Sequence, residues 1–383
     1  MNERFVLLGA VPQSLINFRG DLIGALVESG LAVTAMAAET DSQTRETIQA
    51  TGAQFCPYPI SRSSINPRAD WETYCSLKKH FLEIHPDFIL AYTIKPVIWG
   101  GFAARATPKA RFYALITGLG FTFQGGRLKR RILKYITIHL YRLALRHARE
   151  VIFQNPDNRD LFVELGIVPS NKCHVVNGSG INISTFAPSS LPTGPTRFLL
   201  IARLLGEKGL KEYFQAGLLV KKRYPEVTLS LLGPPDPSPD GVSMKEVHRW
   251  QELGIVEYLG QAADVRPSIQ NCHVFVLPSY HEGVPHTVLE AMAMGRPILT
   301  TNVSGCKETV VPGGNGWLVP KADSAKLAER MIWFIENRDS WDRMGLESRQ
   351  IAQTKFDVKS VNSEMLKIMG IEQTDDFRAR SQA

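Results

Sequence analysis

Short apolar, β-branched runs separated by helix-forming stretches constrain this chain most. They are FVLLGA, LAVTAMAA, FILAYT, FYALIT and VIFQN in the first half, then FLLIA, VTLSLLG, VEYLG, HVFVLPS, PILTT and GWLVP. Strands that alternate with helices build parallel sheets. At 383 residues the chain also exceeds what one hydrophobic core usually serves. The stretch FAPSSLPTGPT between the two series is rich in Pro, Ser, Thr and Gly and reads as a linker, with the boundary near Pro188 to Thr196. The expectation is an α/β protein of two Rossmann-like, doubly wound parallel-sheet domains facing across a cleft. They span 1–190 and 191–360, and a tail at 361–383 includes a helix packing back on the first domain. Ligands of such sheets bind at the carboxyl ends of the strands.

Composition removes several rival classes. With 44% hydrophobic and 21% charged residues, the chain is neither disordered, collagenous nor coiled-coil. The five cysteines (Cys56, Cys75, Cys173, Cys272, Cys306) are scattered, with no C-x-x-C pair and no histidines at zinc-ligand spacing. That pattern suits a reduced, cytosolic chain without structural zinc. The opening MNERFVLLGAVPQ is too short to span a bilayer and lacks a small-residue cleavage site, so it reads as a first strand. FILAYTIKPVIWGGFAA is interrupted by Lys95 and Pro96. The N-terminal GAVPQSLINFRGDL has Gly9 and then Gly20 after a long gap, unlike a dinucleotide-binding G-x-G-x-x-G, which argues against an oxidoreductase.

The charge is lopsided. Residues 1–190 carry 21 Lys and Arg against 14 Asp and Glu, whereas the rest carries 23 of each, so the first half holds the whole net charge of +7. From Phe88 to Arg149 there is no acid and there are twelve basic residues. Such a local excess implies an anionic partner. Nucleic acid is disfavoured by the lack of zinc-finger spacing, an RNP-type aromatic motif or a basic low-complexity tail. In RLKRRILKYITIHLYRLALRHAR, the spacing keeps Arg127, Arg130, Arg131, Lys134, Arg142, Arg146 and Arg149 near one helical face, with Lys129 elsewhere. Ile132, Ile136, Leu140 and Leu143 lie on another face. An anionic membrane surface fits this helix, and a core helix with a solvated basic face is the plainer reading.

The chemistry concentrates in PSYHEGVPHTVLEAMAMGRPI, residues 278–298. Glu282 falls on the loop after strand HVFVLPS. A helix then starts near Pro285 and stops at Gly295. With Gly283 beside it, that helix N-terminus can present backbone N–H groups to a phosphate. Glu290 lies about a turn and a half inside the helix, where it can accept hydrogen bonds from vicinal ribose hydroxyls. Two isolated glutamates would by default be a cap and a solvated side chain, but two further loops change the weighting. IARLLGEKGL supplies Arg203 and Lys208 at the carboxyl end of strand FLLIA, where two cations can neutralise a departing diphosphate. TNVSGCKETV brings Gly305 and Glu308 to the same sheet edge, and His281 and His286 flank the glutamate loop. PPDPSPDG reads as a proline-rich surface loop. No D-x-D pair is present, so no catalytic metal is expected.

The pattern E-G-x-P-x-x-x-L-E-A-M-A-x-G-x-P-I, with R-x-x-x-x-K-G upstream and N-G-x-G-I near Asn177, resembles the retaining nucleotide-sugar glycosyltransferases of family 4, which have the GT-B fold. By that resemblance Arg203 and Lys208 bind the donor's diphosphate and Glu290 its ribose. Glu282 sits by the transferred sugar, Gly283, Val284 and Pro285 line it, and Asn177 also falls on the donor side. Apart from the resemblance, a fold of this kind can bind a donor sugar against the N-terminal loop GAVPQSLINFRGDL, through Arg19 or Gly20, with a plain strand-to-helix connection as the equal alternative. ITGLGFTF and YTIKPVIWG resemble the subgroup that transfers hexoses or N-acetylhexosamines onto polyprenyl-diphosphate-linked sugars. Many family members carry a histidine near the sugar where this chain has Thr117 and Gly118, which leaves those two and Lys95 as acceptor-side candidates. The resemblance implies a UDP-sugar donor, a lipid-linked saccharide acceptor, no cofactor, and peripheral association with the cytoplasmic face of the membrane in polysaccharide assembly. Two alternatives share the fold: a nucleotide-sugar epimerase and a non-catalytic sugar-nucleotide-binding module.

Overall fold

The computed structural model describes residues 2–61, 66–119 and 128–372. The chain divides into two units, the first made of residues 1–179 and 359–383, the second of residues 180–358. Unit 1 holds a seven-stranded sheet built from β1 (Arg4–Leu8), β2 (Ala32–Ala37), β3 (Gln54–Pro57), β4 (Phe88–Tyr92), β5 (Arg111–Ile116), β6 (Glu150–Phe153) and β7 (Cys173–Val175), in the order β3-β2-β1-β4-β5-β6-β7. Every strand pair is parallel. Unit 2 holds a six-stranded parallel sheet of β8 (Arg197–Ile201), β9 (Thr228–Leu232), β10 (Glu257–Tyr258), β11 (Val274–Leu277), β12 (Ile298–Thr301) and β13 (Gly316–Val319), in the order β10-β9-β8-β11-β12-β13. The strand order reverses at β1/β4 in unit 1 and at β8/β11 in unit 2, and such reversals open a crevice at the carboxyl edge.

Helices cover both faces of each sheet, which is why the strands read as unbroken apolar runs. Along β1, Phe5 and Leu7 enter one core with Leu15, Leu22 and Leu26 of α1 (Pro12–Glu28). Val6 and Leu8 enter the other, with Leu77 and Phe81 of α3 (Pro67–Ile84) and Val97 of α4 (Ile94–Ala103). That second core also takes Ile138, Tyr141 and Leu145 of α5 (Leu128–Leu145) and Phe162 of α6 (Pro156–Glu164). The short α2 (Ser42–Gln49) buries only Ile48. In unit 2, Phe198 and Leu200 pack with α7 (Leu210–Arg223), α8 (Met244–Glu252) and α11 (Ser324–Glu336), while Leu199 and Ile201 pack with α9 (Arg266–Gln270), α10 (His286–Ala293) and α12 (Trp341–Lys355).

The chain path differs from the sequence expectation at the boundary. The crossing falls between residues 179 and 180, and FAPSSLPTGPT belongs to unit 2 instead of linking the units. Side chains pin that segment down: the fully buried Arg296 donates to the Ser189 carbonyl (2.7 Å) and to Ser189 Oγ (2.6 Å), and His273 Nε2 lies 2.8 Å from the Pro192 carbonyl. The last helix, α13 (Val358–Met369), buries Val361, Met365, Leu366 and Met369 in the core of unit 1, and Tyr113 donates its hydroxyl hydrogen to the Met369 carbonyl at 2.8 Å.

The solvent face of α5 also departs from its helical projection. Thr137, Ile138, Tyr141, Ala144 and Leu145 form the buried side, so most of the apolar face expected to oppose the basic one is not the core face. Ile132, Ile136 and Leu143 are exposed, together with Tyr135 at 78%, and Leu140 is half-buried. Arg131, Arg142, Arg146 and Arg149 are exposed as well, although Arg142 Nε donates to the Gly166 carbonyl at 3.1 Å. Arg127, the end of ITGLGFTF, the side chains of Lys129 and Arg130, and residues 373–383 lie outside the described residues.

Candidate active site

Three loops at the carboxyl edge of the unit 2 sheet, following β8, β11 and β12, are joined by their own backbone and hydroxyl groups. The Tyr280 amide donates to the Glu207 carbonyl (2.8 Å) and the Glu282 amide to the Ser304 carbonyl (3.1 Å). Thr300 Oγ1 donates to the Leu277 carbonyl at 2.6 Å, and Thr301 Oγ1 to that of Ser279. Gly305 makes this junction sterically possible. Its φ is +84°, and a Cβ there would stand 2.3 Å from the Gly283 carbonyl oxygen, a left-handed, crowded position that suits glycine.

This junction brings Lys208 to Glu282. Nζ lies 2.6 Å from Oε1, and the two side chains are 15% and 14% exposed. The pair sits at the β8/β11 reversal, because Lys208 ends the turn after β8 and Glu282 lies in the connection from β11 to α10. Gly283 and Pro285 are buried in that connection and Val284 is half-buried. Helix α10 starts one residue after Pro285 without a side-chain cap. One turn in, His286 Nδ1 is 3.0 Å from Glu290 Oε1, whereas Glu290 Oε2 is enclosed and has no hydrogen-bond partner. One carboxylate oxygen thus faces His286 of the same helix, and the other has no hydrogen-bond partner among the described residues.

Arg203 is oriented differently from Lys208: its Nη1 pairs with Asp236 on the loop after β9. Burial raises the Asp236 pKa, but hydrogen bonds from Ser238 and the charge of Arg203 outweigh it and hold the carboxyl below its ordinary range. Asp240 of the same loop accepts from the Glu207 amide at 2.8 Å. The proline-rich loop therefore belongs to the site, and neither aspartate was singled out from sequence. The retrospective signal is that both follow a strand at its carboxyl end. Of the remaining edge residues, Glu308 lies in a short turn whose carbonyl accepts from Lys355 at 2.8 Å. Among the described residues no group of three or more His, Cys, Asp or Glu could hold a metal ion.

The other sequence candidates fall in unit 1. Arg19 and Gly20 are not on the loop after β1, as the sequence suggested, because Pro12 already opens α1 and places both inside the helix. Lys95, in the first turn of α4, forms an ion pair with Asp70 (2.7 Å; 16% and 19% exposed). Thr117 and Gly118 follow β5, and Asn177 follows β7.

Two family models match the chain, a glycosyl transferase 4-like domain over residues 18–178 and the glycosyl transferases group 1 over residues 183–351. The chain belongs to the family 4-like glycosyltransferases. The enzyme is 28% identical over 347 residues to the N,N'-diacetylbacillosaminyl-diphospho-undecaprenol alpha-1,3-N-acetylgalactosaminyltransferase of Campylobacter jejuni, covering 87% of this chain and 90% of the relative. It is 26% identical to the putative glycosyltransferase EpsD of Bacillus subtilis, over 82% and 86% of the two chains. Its fold matches sucrose-phosphate synthase from Thermosynechococcus elongatus (TM-score 0.80, 19% identity, 96% and 98% covered). It also matches Anabaena HepE in complex with UDP and glucose (TM-score 0.78, 18% identity, 96% and 100% covered). The glycosyltransferase thus has the GT-B architecture of two Rossmann-like units.

Proposed function

We propose that this glycosyltransferase moves a hexose or N-acetylhexosamine from a UDP-sugar, with retention, onto a saccharide carried by a lipid diphosphate in polysaccharide assembly. The Lys208–Glu282 pair at the β8/β11 reversal carries the reading: a cation and a carboxylate, both largely out of water, stand where a doubly wound sheet binds its ligand. A diphosphate entering this edge meets Lys208 and Arg203, each now held by a carboxylate that it can exchange for phosphoryl oxygens. As the sugar leaves, negative charge grows on the diphosphate. Preorganised cations stabilise that growing charge without reorganising at the moment of reaction. Glu282, released by Lys208, faces the transferred sugar with the Gly283–Val284–Pro285 backbone. The enclosed Glu290 Oε2 accepts from a ribose hydroxyl, which satisfies an otherwise orphaned buried oxygen. No divalent ion is required, since the leaving charge is met by side chains.

The C. jejuni relative is named for a diphospho-undecaprenol-linked acceptor, and one solved neighbour holds UDP. These support the acceptor and donor classes. No helix among the described residues is long and apolar enough to cross a membrane. The exposed side of α5 has the composition of an interfacial helix instead, with Arg131 in the helix and Arg146 in the turn that follows it flanking Ile132, Tyr135, Ile136 and Leu143. We place the protein at an anionic membrane surface through that face, with unit 1 as the acceptor side and unit 2 as the donor side. Incubation with a panel of UDP-sugars and prenyl-diphosphate saccharides, with the product anomer read by NMR, tests the reading. Nucleotide-sugar turnover without an acceptor would favour the epimerase instead.

A further inference from the structure

Unit 1 has its own order reversal, at β1/β4, and the cation there has no anion. Arg19 is 2% exposed, and no hydrogen bond or ion pair joins it to another described residue. Its Nε is enclosed and unpartnered, and its Cζ lies 5.2 Å from the centroid of the Tyr92 ring. Arginines are almost never fully buried unless paired. Burial pushes this guanidinium down to about 10, with Tyr92 acting weakly the other way, so it is still charged at neutral pH. The ring it leans on is fixed from several sides. Ser14 Oγ is 2.7 Å from the Tyr92 hydroxyl, and a Cβ on Gly9 would stand 2.3 Å from that oxygen, so only glycine leaves the ring its place.

A second irregularity adjoins the first. Thr93, directly after β4, is held at φ 67° and ψ 164°, a conformation that a β-branched residue rarely adopts, and its Oγ1 is enclosed without a partner. Strained backbone of this kind persists only where its surroundings impose it, and it clusters at ligand sites. Two polar side chains with an enclosed, unpartnered atom, a cation against the Tyr92 ring and the hydroxyl of the next residue, therefore lie at the carboxyl end of β4.

We propose that Arg19 anchors a second phosphoryl site, in unit 1, that holds the diphosphate of the lipid-linked acceptor. The planar guanidinium fork matches phosphoryl oxygens, and the Thr93 hydroxyl is the neighbouring donor. The choice of acceptor rests on the function proposed above: the donor's diphosphate is met by Arg203 and Lys208 of unit 2, which leaves the lipid diphosphate as the anion without a cation. Arg19 thereby moves from the donor side, where the reading of the N-terminal loop had put it, to the acceptor side.

Thermal unfolding in saturating UDP, with geranyl diphosphate or inorganic pyrophosphate added, tests the site. Geranyl diphosphate should raise the wild-type midpoint by about 2–4 °C. Arg19→Met and Arg19→Gln should both lose that rise while keeping the UDP-induced one. Without ligands, Arg19→Met should unfold at or above the wild-type temperature, because it removes an unpaired buried charge. In transfer assays both variants should raise the acceptor KM about tenfold or more and leave the donor KM unchanged. A geranyl diphosphate shift that survives in the variants would overturn the proposal. So would an Arg19→Met protein that is destabilised or does not fold, which would make Arg19 structural. A wild-type shift with pyrophosphate but none with geranyl diphosphate would overturn the lipid-linked source. If UDP shifts neither wild type nor variant, the donor reading fails, and the Arg19 site stands or falls on its geranyl diphosphate response alone.

Discussion

Lys208 Nζ lies 2.6 Å from Glu282 Oε1, joining the loop after β8 to the loop after β11 through two side chains that are each about 85% buried. Losing either partner strands a charge out of water, whereas losing both does not. Lys208→Met and Glu282→Gln should each lower the unfolding free energy by about 1–3 kcal/mol, and the double variant should recover most of that loss. Additive losses in a double-mutant cycle, measured by urea unfolding, would show that the contact is not energetically coupled.

Asp236 should shape the acid limb of the stability curve. Its carboxyl is held below the ordinary range in the folded protein, by Ser238 and Arg203 against the opposing effect of burial. The stabilisation is therefore complete above the unfolded-state value of about 3.9 and disappears as pH falls through the lower folded value. The midpoint difference between wild type and Asp236→Asn should be largest near pH 5 and should shrink toward pH 2.5. A difference that stays constant over that range contradicts this account of the carboxylate.

Glu290 is assigned to a contact made equally in the ground and transition states. Such contacts appear in KM more than in kcat. Glu290→Gln should raise the donor KM about tenfold, the scale of one charge-assisted hydrogen bond, with kcat changed far less. An unchanged donor KM with a collapsed kcat would move Glu290 to the reacting centre.

The exposed face of α5 should bind anionic vesicles through both charge and apolar contact. Each basic residue near such a surface contributes about 1 kcal/mol, and salt screens that attraction. Arg131→Gln with Arg146→Gln should weaken sedimentation with anionic vesicles and reduce its salt sensitivity. Ile132→Ser with Ile136→Ser should weaken it at every salt concentration. Equal binding of all forms to neutral vesicles would place the contact elsewhere.

Parallel sheets were legible because FVLLGA, FLLIA and their counterparts are local patterns, as was α10, bounded by Pro285 and Gly295. The placement of Glu282 on a loop and Glu290 on a helix followed from the same segment. The Arg203–Asp236 contact was not legible, since it joins loops 33 residues apart that share no period. Nor was the crossing at residues 179 and 180, because a proline-rich segment looks like a linker until Arg296 and His273 are seen to hold it. The faces of α5 went astray for a related reason. Ile132 and Ile136 are as apolar as Ile138, and only the core formed with Phe162 and the sheet decides which of them is buried.

The central claim is that Lys208 stabilises charge on the leaving diphosphate, and kcat for Lys208→Ala at saturating UDP-sugar and lipid-linked acceptor, in excess EDTA, tests it most directly. The account predicts full wild-type turnover in EDTA, and in the variant a fall of about a hundredfold or more with UDP still bound. A variant turning over near the wild-type rate, or a wild-type enzyme that EDTA silences and Mg²⁺ or Mn²⁺ restores, would contradict it.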